Sequence, residues 1–196
     1  DDRAGALGFG LNQAPPAPKR EFNQTLDLTK LQEIADAIIR EEDISPENAE
    51  AQILDLMLAG TSMGGARPKA VVEDNEGLWL AKFNRQDDKW NSARVERSML
   101  NLARSCGLKV AESRITTIGD RDVFLVKRFD REKTDEGYTR SRMISALTAL
   151  RSEDNHRSRE KWSYVLLAEE LRRICSNPSE DAKELFRRMV FNALIS

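Results

Sequence analysis

Apolar residues recur at three- and four-residue intervals through "DLTKLQEIADAIIREE" (27–42), where Leu31, Ile34, Ala35, Ile38 and Ile39 make one stripe of a helix. Thr29 and Gln32 have the spacing of a capping box at its start. "SPENAEAQILDLMLAG" (45–60) predicts a second helix, with Ser45 as cap, Pro46 at the first helical position and Gly60 as the stop. The period then drops from 3.6 to 2. "KAVVED" and "LWLAKFN" predict two strands joined by a tight turn at Asn75-Glu76-Gly77. "NSARVERSMLNLARSCGLK" returns to helix, with Val95, Met99, Leu102 and Cys106 on one face and Gly107 ending it. "SRITTIG" and "RDVFLVKRFD" predict a further strand pair around Gly119-Asp120, and from Tyr138 onward no strand is expected. "SYVLLAEELRRICS" and "SEDAKELFRRMVFNALIS" are amphipathic helices, the second opened by Ser179 and its trailing acids.

This order divides the chain into three parts. Residues 1–60 hold a Gly-, Ala- and Pro-rich opening segment and two packing helices; residues 61–131 hold the strands and one helix; residues 132–196 begin an all-helical region. The fold class expected is α+β, a small mixed sheet with one helix followed by helices.

Composition narrows the function. The 196 residues are 40% hydrophobic and 33% charged with a net charge of −2, so no global basic field points to nucleic acid. No apolar run approaches the roughly 18 residues of a membrane span, and the start lacks the apolar core of a signal peptide. Cys106 and Cys175 fall on expected helices, where packing in a reduced, cytoplasmic protein is the default role.

"GTSMGGARPKA" (60–70) compresses three glycines, two hydroxyls and two basic residues between a helix and a strand. Walker A is excluded because Ala-Arg follows Gly65 where Lys-Ser/Thr must stand, and the dinucleotide and protein-kinase glycine patterns are not matched literally. Gly64 and Gly65 still leave backbone N–H groups unshielded, which suits an anion nest as well as an ordinary turn. Lys82 lies on the strand that follows, and Glu96 on the next helix. A glycine loop, a lysine strand and a carboxylate helix in that order are the parts with which a kinase-like lobe holds nucleotide phosphates. The plain alternatives are a snorkelling surface lysine and a glutamate paired with Arg97 or a neighbour of Arg94.

"GTSMGGARPKAVV", "LWLAKFN", "VERSMLNLARSCGL", "FLVKRFDR", "SALTAL", "WSYVLLAEELRRI" and "ELFRRMVFNALIS", with "DRAGALGF" near the start, resemble in order and spacing the HipA-like serine/threonine kinases, toxins of bacterial toxin–antitoxin modules. The resemblance runs along essentially the whole chain and implies a protein-kinase-like fold that transfers the ATP γ-phosphate to a protein serine or threonine. It assigns ATP binding to Ser62, Met63, Gly64, Gly65 and Ala66, with Ser62 also the autophosphorylation candidate. It assigns the ATP lysine to Lys82, which Glu96 would orient, and an inter-lobe hinge to Lys127–Phe129, where Phe129 would pack near adenine or serve as a core aromatic. Asp130 is expected to pair with Arg128 or Arg131 and not to act in catalysis.

The resemblance further implies ATP and Mg²⁺ as cofactors, a protein substrate, and a HipB-type DNA-binding antitoxin through which any contact with nucleic acid is indirect. In the family the catalytic loop and metal aspartate follow the segment resembling "FNALIS". The 196 residues are therefore expected to be an inactive piece of a kinase, with no catalytic or metal residue of their own and His156 merely solvated. The competing expectation is a non-catalytic, pseudokinase-like module that binds an antitoxin or another protein.

Overall fold

A computed structural model describes residues 3–8, 11–14, 22–24, 27–40 and 67–195. The helix expected at 45–60 and the glycine-rich residues 60–66 lie outside the described residues. The chain divides into two compact units, residues 1–101 with 111–143 and residues 102–110 with 144–196.

The first unit is built on a five-stranded sheet in the order β1-β2-β3-β5-β4. Its strands are β1 (Asn23–Gln24), β2 (Lys69–Asp74), β3 (Gly77–Phe83), β4 (Ser113–Ile118) and β5 (Arg121–Lys127). β1 runs parallel to β2, and the other pairings are antiparallel. Residues of alternating parity face opposite sides, as pleating requires. Ala70, Val72, Trp79, Ala81, Phe83, Val123 and Leu125 turn to one side and meet Leu28, Leu31, Ile34 and Ala35 of helix α1 (Leu28–Ile39) in the core. Leu31, Ile34 and Ala35 of the stripe expected on α1 thus pack as its periodicity requires. Thr29 does not cap it, because the helix already begins at Leu28. Gln32 is buried instead, reaching Asp36 Oδ1 at 3.4 Å. Arg121 grips the Asp36 carboxylate through both terminal nitrogens at 2.8 and 2.5 Å, tying α1 to the start of β5.

The β4–β5 turn needs a residue with positive φ at its first corner, which Gly119 supplies at +59°. Besides β1, two further strands are not among those the sequence predicts. β6 (Arg131–Thr134) and β7 (Gly137–Arg140) form a separate hairpin, so Tyr138 lies within a strand. Its hydroxyl donates to Glu73 Oε1 at 2.6 Å, and its ring meets Phe22 edge-on. Burial and this carboxylate together push the Tyr138 phenol well above its ordinary range.

Helix α2 (Ser92–Ser105) covers the other face of the sheet through Arg97, whose guanidinium donates to Ser113 Oγ at 2.6 Å, and through Glu96. Asn91 caps the helix, its side-chain oxygen accepting from Arg94 N at 3.0 Å. The apolar face expected on α2 is displaced. Val95, Leu102 and Cys106 are exposed, whereas Ala93 and Ala103 are buried. Small side chains let the backbone approach closely, so alanines mark the packed side here, and the packing role expected of Cys106 is not met.

The second unit opens with the end of α2. Gly107, with φ +76°, terminates the helix in a Schellman motif: its N–H donates to Arg104 O at 2.9 Å and Leu108 N–H to Ala103 O at 3.0 Å. A short helix α3 (Ala146–Ala149) and a 3₁₀ turn (His156–Lys161) precede helices α4 (Tyr164–Ile174) and α5 (Pro178–Ile195). Asn155 caps the 3₁₀ turn, and His156 is exposed, as expected of it. Ser163 caps α4, while Cys175 lies just past its end. Pro178 opens α5, where its missing N–H costs nothing. Tyr164, Val165, Phe186 and Leu194 remain exposed on this pair. Among the described residues, no helix is long and apolar enough to cross a membrane.

Candidate functional site

Lys82 sits on β3 with Lys69 of β2 as one cross-strand partner and Phe124 of β5 as the other. The three therefore share one face of the sheet, opposite the α1 core. One register step along the same face lie Val71, Leu80 and Val126. This places two ammonium groups beside an apolar strip leading toward the end of β5.

The Lys82 ammonium donates to Glu96 Oε1 of α2 and lies 5.5 Å from the centroid of the Phe124 ring. The lysine side chain is 26% exposed, so it belongs neither to the core nor to open solvent. Sequence order put a lysine strand before a carboxylate helix, and the fold brings those two side chains into contact. The alternative pairing of Glu96 with Arg97 is not what the structure shows, since Arg97 turns to Ser113.

Lys69 is only 5% exposed and donates to Arg67 O at 2.8 Å. Burial pulls its ammonium below the ordinary lysine range and the adjacent Lys82 charge adds to the effect, while Glu96 opposes it. The Arg67 guanidinium binds Asp88 in fork geometry, at 2.5 and 2.8 Å. That contact, partly opposed by burial, raises the arginine and holds the Asp88 carboxyl below its usual range. Arg67 and Lys69 thus each have a partner within the sheet lobe.

The exit of β5 is where the resemblance implies a hinge. Lys127 N–H donates to Glu112 O at 2.8 Å and Arg128 N–H to Leu78 O at 2.9 Å, so both are engaged within the sheet. The Lys127 side chain stands on the α1 side, its Nζ 5.6 Å from the Trp79 ring centroid and 3.1 Å from Glu112 Oε2. Phe129 is 77% exposed, which rules out the core-aromatic alternative. Asp130 is buried and receives Arg128 Nη2 at 2.8 Å, Arg131 Nη1 at 2.7 Å and Gly5 N–H at 2.8 Å. The expected salt-bridge role for Asp130 holds, with both arginines at once. Ser62, Met63, Gly64, Gly65 and Ala66 lie outside the described residues.

Two features of the lobe went unread in the sequence. Asp122 is buried, accepting from Thr117 at 2.7 Å, Asn91 at 2.7 Å and Arg94 at 2.6 Å, and so locks the start of α2 to β5. The Thr117 bond does most to hold its carboxyl below the ordinary range, against burial, with Arg94 and Asn91 adding to the effect. Asp88 is the second. Asn91 could have been found as a helix cap by its position before the periodic segment, but its carboxylate partner is 31 residues away and leaves no local signal.

The donor set at Lys69 and Lys82 fits a phosphate chain: ammonium groups, a carboxylate to orient one of them, and an apolar strip alongside. It does not fit Mg²⁺. Among the described residues, no group of three or more metal-ligating side chains stands together.

The model of the HipA-like C-terminal domain matches residues 61–196, which is more than half of the chain. The chain belongs to that family. Its fold is similar to that of a solved chain in the Shewanella oneidensis MR-1 toxin–antitoxin system, a complex of HipA, HipB and operator DNA, with a TM-score of 0.62 and 17% identity. The likeness covers 96% of this chain and 47% of that one, so the HipA-like chain here spans about half the length of its structural relative. No curated protein matches its sequence. The α+β class expected from the strand and helix pattern is the class of the HipA fold.

Proposed function

We propose that the chain is the nucleotide-binding part of a HipA-like serine/threonine kinase, which in the whole protein transfers the ATP γ-phosphate to a protein serine or threonine and restrains growth. The observation that carries this reading is the Lys82–Glu96 contact on the sheet face shared with Lys69. A lysine held by a helix carboxylate keeps its charge directed at a fixed place, which is what binding α- and β-phosphates requires. Val71, Leu80 and Val126 offer an apolar surface for the adenine ring one register step away. ATP supplies the phosphoryl group; the residues described here bind and orient it.

Ser62 to Ala66 are proposed to cover the phosphates from the glycine-rich segment, and Ser62 to be the autophosphorylation site. The backbone of Phe129 is proposed to meet the adenine edge, since the N–H groups of Lys127 and Arg128 are already engaged. A HipB-type antitoxin is the proposed partner, on the strength of the likeness to a HipA–HipB–DNA complex, and the cytoplasm the proposed location.

Titration calorimetry of the protein with adenosine, ADP and ATP tests the reading. If the lysine pair receives phosphates, affinity rises at each added phosphate. Charge-assisted contacts worth about 1.5–3 kcal/mol each make the ATP-over-adenosine margin at least about tenfold. Equal affinity for all three would remove the phosphate reading and favour the non-catalytic module.

A further inference from the structure

Two like charges on neighbouring strands repel, so the Lys69–Lys82 pair needs a framework that holds both ammonium groups in place. Glu96 does this for Lys82. Lys69 donates to a neutral acceptor, the carbonyl of Arg67, at 2.8 Å. That carbonyl is only as well placed as Arg67 itself.

Three contacts fix the chain where it runs into β2. The Arg67 guanidinium is clasped by Asp88 through two parallel bonds of 2.5 and 2.8 Å. The neighbouring Pro68 carbonyl accepts from Phe83 N–H at 3.4 Å, at the end of the Lys82 strand. Asp88 is itself held, its Oδ2 accepting from Arg85 N–H at 3.0 Å in the loop that leaves that strand. The clasp is well shielded on the acid side, the Asp88 side chain being 14% exposed. A bidentate arginine–carboxylate contact fixes orientation as well as distance, which a single point-charge contact does not.

We infer that Asp88 is a positioning residue for phosphate recognition: acting through Arg67, it sets the carbonyl that places the Lys69 ammonium beside Lys82. Asp88 touches neither lysine. Its effect on a bound phosphate chain is transmitted by the backbone of residues 67–69. The inference rests on the nucleotide reading above, and it adds to that site a residue on the loop between β3 and α2.

Asp88→Asn removes the charge and half of the fork while keeping an oxygen for Arg85 N–H, so the loop retains its turn. Calorimetric titration with ATP and with adenosine, alongside a thermal melt, reads the outcome. ATP affinity is expected to fall about tenfold while adenosine affinity stays within about twofold, which corresponds to one charge-assisted contact. Asp88→Glu, which keeps the carboxylate, is expected to recover most of the loss. Adding Asp88→Asn to Arg67→Gln is expected to cost nothing beyond Arg67→Gln alone, because residues acting through one contact are not additive. An unchanged ATP affinity, a parallel loss for ATP and adenosine, or full additivity of the two variants would each overturn the inference. A wild-type protein that binds ATP no better than adenosine would take down the phosphate reading itself, and that result needs no variant to see it.

Discussion

Replacing Asp130 with alanine is expected to destabilise the sheet-bearing unit by about 3–5 kcal/mol, the range for removing one partner of a buried ion pair. The side chains of Arg128 and Arg131 are each only 3% exposed, and both pair with this carboxylate. The same group receives Gly5 N–H, while Arg131 donates to Gly5 O at 3.0 Å and to Arg3 O at 2.7 Å. Loss of the carboxylate therefore removes a charged partner from two buried guanidinium groups and the acceptor of Gly5 N–H. Asp130→Asn keeps an acceptor and is expected to cost less.

The same carboxyl predicts the direction of the pH dependence. Burial raises it, but the Arg128 contact, the Gly5 amide and the two arginine charges together hold it below the ordinary aspartate range. A group whose folded pKa is depressed gives stability that is present above its unfolded value, about 3.9, and lost as pH falls through the folded value. Urea denaturation of the wild type should thus weaken below about pH 4, and the Asp130→Asn variant should lose less over that interval. A cost under about 1 kcal/mol for Asp130→Ala would mean the cluster behaves as an exposed one.

Trp79→Ala is expected to cost a similar amount, about 3–5 kcal/mol, through the cavity left in the core. Trp79 is 1% exposed, packs in the cluster shared by β2, β3, β5 and α1, and anchors its indole N–H on Asp74 Oδ1 at 2.9 Å. The Arg114 guanidinium lies 4.2 Å from the ring centroid and also pairs with Asp74, so the substitution removes a stacking surface from that pair. Trp79→Phe keeps most of the volume and is expected to recover much of the loss. Urea denaturation followed by circular dichroism measures both variants, and a midpoint unchanged by Trp79→Ala would contradict this account of the core.

What the sequence made legible follows from how local each signal is. β2, β3, β4 and β5 have apolar alternation bounded by turn residues, and α4 and α5 have amphipathic spacing, so their own residues define them. The β6–β7 hairpin repeats at Asp135-Glu136-Gly137 the turn chemistry of Asn75-Glu76-Gly77, but "REKT" and "GYTR" are too polar to show alternation. Its anchor is Tyr138 on Glu73, a contact across 65 residues. The packed face of α2 differs from the expected one because its alanines, which allow the closest approach, mark it in place of the larger apolar side chains. In the site, Lys82 and Glu96 were legible from the order of their elements. Lys69 beside Lys82 depends on the β2–β3 register, and Asp88 on a contact across 21 residues, neither of which a single sequence displays.

The central claim is that the Lys82 ammonium, held by Glu96, receives nucleotide phosphates. Titrating ATP into the Lys82→Ala protein tests it most directly. Lys82 contributes a charge and little buried packing, so the account predicts a loss of ATP affinity of about tenfold to a hundredfold with the thermal midpoint barely moved. An unfolded or strongly destabilised variant whose remaining folded molecules bind ATP as well as the wild type would contradict it, and would make the Lys82–Glu96 contact a structural ion pair.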